Sequence, residues 1–258
     1  MADVAFIPLL IVQMSTPPED LRARVGEQTD WFRALLEELP VEPVRVCPHL
    51  GETLPEAHRV GAAIISGSWS MVTDREEWSE RTADWIRTVN RAGVPLFGVC
   101  YGHQLMADAL GGQVDYLPGG RELGVHPIHL SDEGRKHVRL AAYPSTFTAI
   151  LSHEQSVVRL PPQARVLAGS ARDPHQILHY GGETWSTQFH PEFTPQLLGP
   201  CLERRRTVLE SEGLDVTRLL DTLQPTPFAA RLLLEFVERT LVCPVIHAKA
   251  STALTADA

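Results

Sequence analysis

The stretch Val94-Pro-Leu-Phe-Gly-Val-Cys-Tyr-Gly-His-Gln-Leu-Met-Ala-Asp-Ala-Leu-Gly-Gly112 decides how this chain is read. Pro95 to Val99 is a short run of apolar and small residues, the pattern of a buried parallel strand. It leads directly into Cys100 and Gly102. Leu105, Met106, Ala109 and Leu110 then recur along one helical face until Gly111-Gly112 stops it. Gly98 and Gly102 flank Cys100 at two residues on each side, the layout of a nucleophile elbow, where a sharp turn admits only small neighbours. A thiol there projects out of the fold over a helix N-terminus, whose unpaired N–H groups favour thiolate. The competing reading is a small apolar cysteine in the core of an α/β sheet.

Upstream, Val4 to Val12 reads as a central strand and Gln13 to Pro18 as the loop after it. Glu19 and Asp20 open a helix expected to run to about Leu39, with Leu21, Val25, Phe32, Leu35 and Leu36 near helical spacing. Val44 to Cys47 and Ala62 to Ile65 read as further strands, the latter entering Ser66-Gly-Ser-Trp-Ser70. A helix is expected from about Glu77 to Ala92. This alternation implies right-handed crossovers and a parallel sheet covered on both faces, with ligands bound beyond the carboxyl ends of the strands. After Gly112 the pattern changes to short strands: Val125–Leu130, Phe147–Leu151, Arg165–Ala168, Gln176–Tyr180 and Thr184–Phe189, the last two joined by Gly181-Gly182. Two helices close the chain, about Pro195 to Glu212 and Pro227 to Leu241, and the tail from Lys249 is small and polar. The expected organisation is one domain over residues 1–248, with a helical extension at about 195–242 and a flexible tail at 249–258.

The 258 residues carry 43% hydrophobic and 21% charged residues, ordinary for a globular protein. A net charge of −9 argues against a nucleic-acid or anionic-membrane surface. No apolar run approaches the roughly 20 residues that span a bilayer. Met1-Ala-Asp-Val-Ala-Phe-Ile lacks the basic flank and cleavage site of a secretory signal. Cys47, Cys100, Cys201 and Cys243 show no CxxC spacing, so neither a disulfide framework nor a thiolate metal site is expected. These features together predict a reduced, cytoplasmic protein without metal or cofactor.

A cysteine nucleophile needs a base, and the base needs a group to hold its tautomer. Among eleven histidines, His190 stands out because it leaves a strand end and Glu192 follows two residues on, on the same side of an extended segment. Alone, His-x-Glu is also a chance pattern and a metal-site pattern. Gly98-Val-Cys-Tyr-Gly-His-Gln104, with Gln188-Phe-His-Pro-Glu-Phe193 further on, resembles the class I glutamine amidotransferases. The likeness is to stand-alone proteins related to the amidotransferase domain of GMP synthase. Ser66-Gly-Ser-Trp-Ser-Met-Val72, Gly111-Gly-Gln-Val114, Glu122-Leu-Gly124 and Ser152-His-Glu-Gln-Ser-Val157 look like further family segments in the family's order.

The resemblance implies a flavodoxin-like three-layer sandwich with a mostly parallel central sheet. It implies Cys100 as nucleophile on a γ-glutamyl amide carbon, His190 as base and then acid, and Glu192 as its orienter. It also implies an oxyanion hole from the backbone N–H groups of Ser68 and Tyr101. The N–H after the nucleophile is expected there on physical grounds as well, because it opens the helix. At Ser68-Trp69 the family usually has proline in second place, which would fix φ, so this loop departs from the pattern. Gln104, Ser70, Ser152, His153 and Glu122 are implied on the substrate side. Helix packing for Gln104, a structural role for His153 and a surface carboxylate for Glu122 are the competing readings. Arg204-Arg-Arg206 reads as a solvated helix face.

Three functions follow. One is a glutaminase-type hydrolase that works through a cysteine thioester and releases ammonia for a separate partner synthetase, since these residues hold no P-loop. The second is a γ-glutamyl peptidase acting on glutathione-like conjugates. The third, a non-catalytic regulatory homologue, sits poorly with an intact Cys100, His190 and Glu192.

Overall fold

A computed structural model describes residues 6–242. The residues expected to begin the first strand, Val4 and Ala5, lie outside them, as do Cys243 and the tail 249–258. Strand β1 (Ile7–Val12) is followed by two helices, α1 (Glu19–Val25) and α2 (Gln28–Leu35), where one was expected. Gly26 breaks them apart at φ 74°, a left-handed backbone that helical spacing in the side chains does not reveal. Glu27 and Asp30 then restart the helix with reciprocal capping bonds. β2 (Val44–Val46), β3 (Val60–Ile65), α3 (Glu77–Arg91), β4 (Leu96–Val99) and α4 (Tyr101–Ala109) follow as the pattern predicts.

Beyond the elbow come β5 (Gln113–Tyr116), β6 (Glu122–Leu130), the short α5 (Asp132–Lys136), β7 (Thr146–His153) and β8 (Gln155–Arg159). The sheet region closes with β9 (Arg165–Gly169), β10 (Ile177–His179) and β11 (Thr184–Thr187). β5, β8 and α5 were not expected, and β6 starts three residues before its expected Val125. Pro127 is tolerated inside β6 because that strand pairs along its length with β7 but meets β9 only at His129 and Leu130. Helices α6 (Pro195–Ser211), α7 (Val216–Asp221) and α8 (Pro227–Val237) end the described chain, three where two were expected because Asp215 caps a short extra helix, and α8 passes into a π turn at Glu238–Val242.

The main sheet runs β2-β1-β3-β4-β11-β10-β9-β6-β7, parallel from β2 through β11 and antiparallel from there to β7. β5 and β8 form a separate antiparallel pair. Alternate residues of the parallel strands go to opposite faces. Leu9, Ile11, Ala62, Ile64, Phe97 and Val99 pack under α2 and α8, with Phe97 and Phe236 at 5.3 Å between ring centroids. Leu10, Val12, Ala63, Ile65 and Leu96 pack under α3 and α4. Strands buried on both faces are what a three-layer α/β sandwich demands. Leu198, Leu202 and Leu209 of α6 make a third cluster with Leu123 and Ile150. That contact lays α6 over the carboxyl end of the sheet. No helix among the described residues is long and apolar enough to cross a membrane.

Candidate active site

Cys100 leaves β4 with φ 52° and ψ −102°, a backbone that side-chain-bearing residues avoid. Packing forces the strain. A Cβ on Gly102 would stand 2.2 Å from the Ile65 carbonyl oxygen, and one on Gly98 would stand 2.7 Å from the backbone of Gly102. Helix α4 is thus pressed onto β3 and β4, and the turn between strand and helix falls on Cys100. The same peptide ladder sets the base: β11 is the parallel neighbour of β4, Val99 is in register with Thr187, and Cys100 N donates to Thr187 O at 2.9 Å. His190 follows three residues past the end of the ladder at Thr187, its N–H bonded to Ile150 O of β7 at 3.0 Å.

The His190 imidazole is buried, and its Nδ1 lies 2.7 Å from Glu192 Oε1. A carboxylate accepts, so Nδ1 carries the proton and Nε2 is left for the thiol. Glu192 Oε2 has no hydrogen-bond partner among the described residues, so the carboxylate acts on the imidazole alone. Burial opposes the imidazolium. The negative charge of Glu192, the interaction with Cys100 and hydrogen bonds to both outweigh it, and the pKa of His190 is pushed up to about 10. Phe193 stacks on the imidazole at 3.9 Å between centroids, Trp31 meets Phe193 edge-on, and Trp69 meets Trp31 edge-on. The His190 ring is therefore fixed by packing as well as by charge.

The Ser66–Ser70 loop lies across from this pair, where an added Cβ on Gly67 would come within 3.1 Å of His190 Cε1. Gln28, which sequence reading missed, and Ser66 set its conformation. Gln28 Nε2 and Ser66 Oγ both donate to Gly67 O, at 3.1 and 2.9 Å. In a trans peptide the next N–H points opposite the carbonyl, so the Ser68 N–H is turned away from Gln28. Ser68 Oγ donates to Met14 O at 3.2 Å and accepts from Ser70 N at 3.1 Å. These bonds, with the Trp69 edge contact, hold the loop where the family's proline would. Among the described residues, neither the Ser68 nor the Tyr101 N–H has a protein acceptor. Gln28 carries no local signal, being one polar residue in the first turn of a helix.

A cleft of about 350 Å³ joins Cys100, His190, Ser68, Ser70, Tyr101, Gln104, Ser152 and His153. Cys100 Sγ lies 3.7 Å from Ser152 O. Gln104 Nε2 is committed to Gln155 O and Gln188 Oε1, at 2.7 and 3.0 Å. The Tyr101 ring turns inward, bonding Ser79 at 2.6 Å and stacking on Trp78, so only its backbone is turned to substrate. Glu122 is buried behind the wall and braces His153 Nε2 at 3.1 Å. Burial would raise its pKa, but bonds from His153 and Ser170 hold the carboxyl below its usual range. Glu122, His153 and Asp173 bring ligand-type atoms within 4.8 Å of one another. Glu122 is already engaged by His153, Ser170 and Gln176, which makes this group a hydrogen-bond network. Arg204 and Arg205 are solvated as expected, 41% and 31% exposed, but they also line the cleft, while Arg206 pairs with Glu210.

The family model for glutamine amidotransferase class-I matches residues 35–208, more than half of the sequence. The chain belongs to the class-I glutamine amidotransferase family. As a member it is an enzyme of the hydrolase and amidotransferase type. This amidotransferase-family chain is 34% identical over 152 residues to GMP synthase (glutamine-hydrolyzing) of Aeropyrum pernix, across 59% of its own length and 27% of that protein's. It thus spans about a quarter of that relative. It is 23% identical over 209 residues to gamma-glutamyl peptidase 3 of Arabidopsis thaliana, covering 78% of each. A glutamine amidotransferase from Thermotoga maritima shares its fold, with a TM-score of 0.75 at 18% identity over 92% of this chain and 99% of that one.

Proposed function

We propose that the chain hydrolyses a γ-glutamyl amide through a thioester on Cys100. The observation that carries this is the strained cysteine at the end of β4 beside the buried His190–Glu192 pair. The sulfur attacks the γ-carbonyl carbon, and the carbonyl oxygen takes the charge toward the Ser68 and Tyr101 N–H groups. His190, as imidazolium, gives its Nε2 proton to the amide nitrogen as the C–N bond breaks. Water then adds to the thioester while His190 takes a proton from it, and glutamate leaves as the thiol is restored. Glu192 holds the tautomer and the charge of the imidazole throughout.

Glutamine is the smallest substrate of this kind, and its leaving group is ammonia. The GMP synthase relative supports glutamine, and a separate synthetase chain is the partner that would consume the ammonia. A γ-glutamyl peptide is the second reading, supported by the peptidase relative and by a cleft with two partly exposed arginines at its edge. The test is glutamate release from glutamine and from γ-glutamyl dipeptides, in wild type and Cys100→Ser. Release from wild type that is lost in Cys100→Ser is expected. Release that survives that substitution overturns the thioester.

A further inference from the structure

Arg204 and Arg205 follow one another on α6 and both line the cleft that holds Cys100 and His190. Three arginines line it with Glu154 as the one carboxylate among its described residues. Arg121 commits all three guanidinium nitrogens, giving Nε and Nη2 to Glu212 and Nη1 to Glu154. Arg204 gives only Nε, to Asp20, at 2.9 and 3.0 Å. Arg205 gives only Nη2, to Glu154, at 3.4 Å. Their other guanidinium N–H groups have no protein acceptor among the described residues, and the side chains are 41% and 31% exposed. A guanidinium with free paired N–H groups is shaped for a carboxylate.

Resting on the reading above, we infer that Arg204 and Arg205 recognise a carboxylate on the leaving group, so that the preferred substrates are γ-glutamyl amino acids or peptides with a free acid beyond the scissile bond. The glutamyl head has a fixed length, whereas the leaving group can be extended. A leaving amine with a chain of its own extends toward the rim, where Trp69 and Val208 are exposed beside the arginines. The reaction is plain hydrolysis: water and γ-glutamyl amide give glutamate and the free amino acid or peptide.

The experiment compares kcat/KM for γ-glutamylglycine and γ-glutamylglycinamide, which differ in the leaving-group acid. One charge-assisted contact at a partly exposed site predicts a preference of about tenfold for the acid in wild type. Arg204→Gln/Arg205→Gln is expected to bring that ratio near one, and Arg206→Gln, on the outward side of α6, to leave it unchanged. Should the double variant fail to fold, salt titration of wild type replaces it, since screening lowers a charge-based ratio. A wild-type ratio near one, or a ratio that survives the folded double variant, overturns the inference while leaving the thioester intact. A second arm compares glutamine with 4-aminobutanamide, its analogue lacking the α-carboxylate. If the double variant abolishes that preference and spares the dipeptide ratio, the arginines serve the glutamyl head and the inference falls. Turnover that persists in Cys100→Ser refutes the catalytic reading instead, and a wild type that cleaves none of these compounds refutes both.

Discussion

Replacing Glu192 by Gln removes a charge and keeps an oxygen that can accept from His190 Nδ1. The two side chains are buried and 2.7 Å apart at their nearest atoms. Unit charges centred about 4 Å apart interact by about 4 kcal/mol at an effective dielectric constant of about 20. That equals about three pKa units. His190 stands at about 10 in the intact site although burial works against its charge, and the carboxylate is the largest of the influences that raise it, ahead of Cys100. Without it the imidazolium is expected to lose its proton near pH 7, by the same order-of-magnitude reckoning. The pH profile of kcat/KM reads ionisation in the free enzyme. His190 must be protonated to expel the leaving amine, so wild-type kcat/KM should hold up to about pH 10 and fall above it. In Glu192→Gln the fall should begin about three units lower, and the rate at pH 9 should drop about 100-fold relative to its own plateau. The assay is glutamate release across pH 5 to about 11 in buffers of matched ionic strength. An alkaline limb that stays within about half a unit of wild type in a folded variant would refute the electrostatic role given to Glu192.

Gly102→Ala places a methyl 2.2 Å from a backbone oxygen that no rotamer change can move. It is expected to cost about 3 kcal/mol in urea unfolding, the upper end of overpacking effects, and a loss below about 1 kcal/mol would contradict the close packing of α4 on β3. Cys100→Gly should be more stable than Cys100→Ala by about 1 kcal/mol, the reverse of the usual order, because φ 52° strains any residue with a Cβ. Comparing their melting temperatures checks this, and the ordinary order would show that the elbow is relaxed. Glu122→Ala strips His153, Ser170 and Gln176 of a buried partner and is expected to destabilise by about 3 kcal/mol, with Glu122→Gln recovering part of it. Equal stability of the two variants would mean that the network can rearrange.

The elbow was readable because its causes are local. Gly98, Gly102 and the apolar run before Cys100 state the geometry within a few residues. The break at Gly26 was not, since Leu21, Val25, Phe32 and Leu35 keep helical spacing across it while only a backbone angle changes. β5 and β8 pair solely with each other across some forty residues of chain, a match that neither segment announces by itself. Glu192 was legible from its place two residues after His190. Gln28 and Trp31 were not, because they reach the site only when α2 docks on the sheet. Arg204 and Arg205 looked like solvent-facing charges for the same reason: the sequence shows a helix face, and only the packing of Leu198 and Leu202 on Ile150 turns that face over the cleft.

Cys100 and His190 follow adjacent strands whose alignment is fixed at Val99 and Thr187. The two strand ends they leave from are therefore spaced by the interstrand repeat, about 4.8 Å in any sheet. The arginines belong to a different layer, a helical lid attached after the last strand. Lengthening, trading or discarding that lid would alter what the protein admits without recalibrating the ruler beneath it. On such a plan chemistry is inherited and appetite is negotiable.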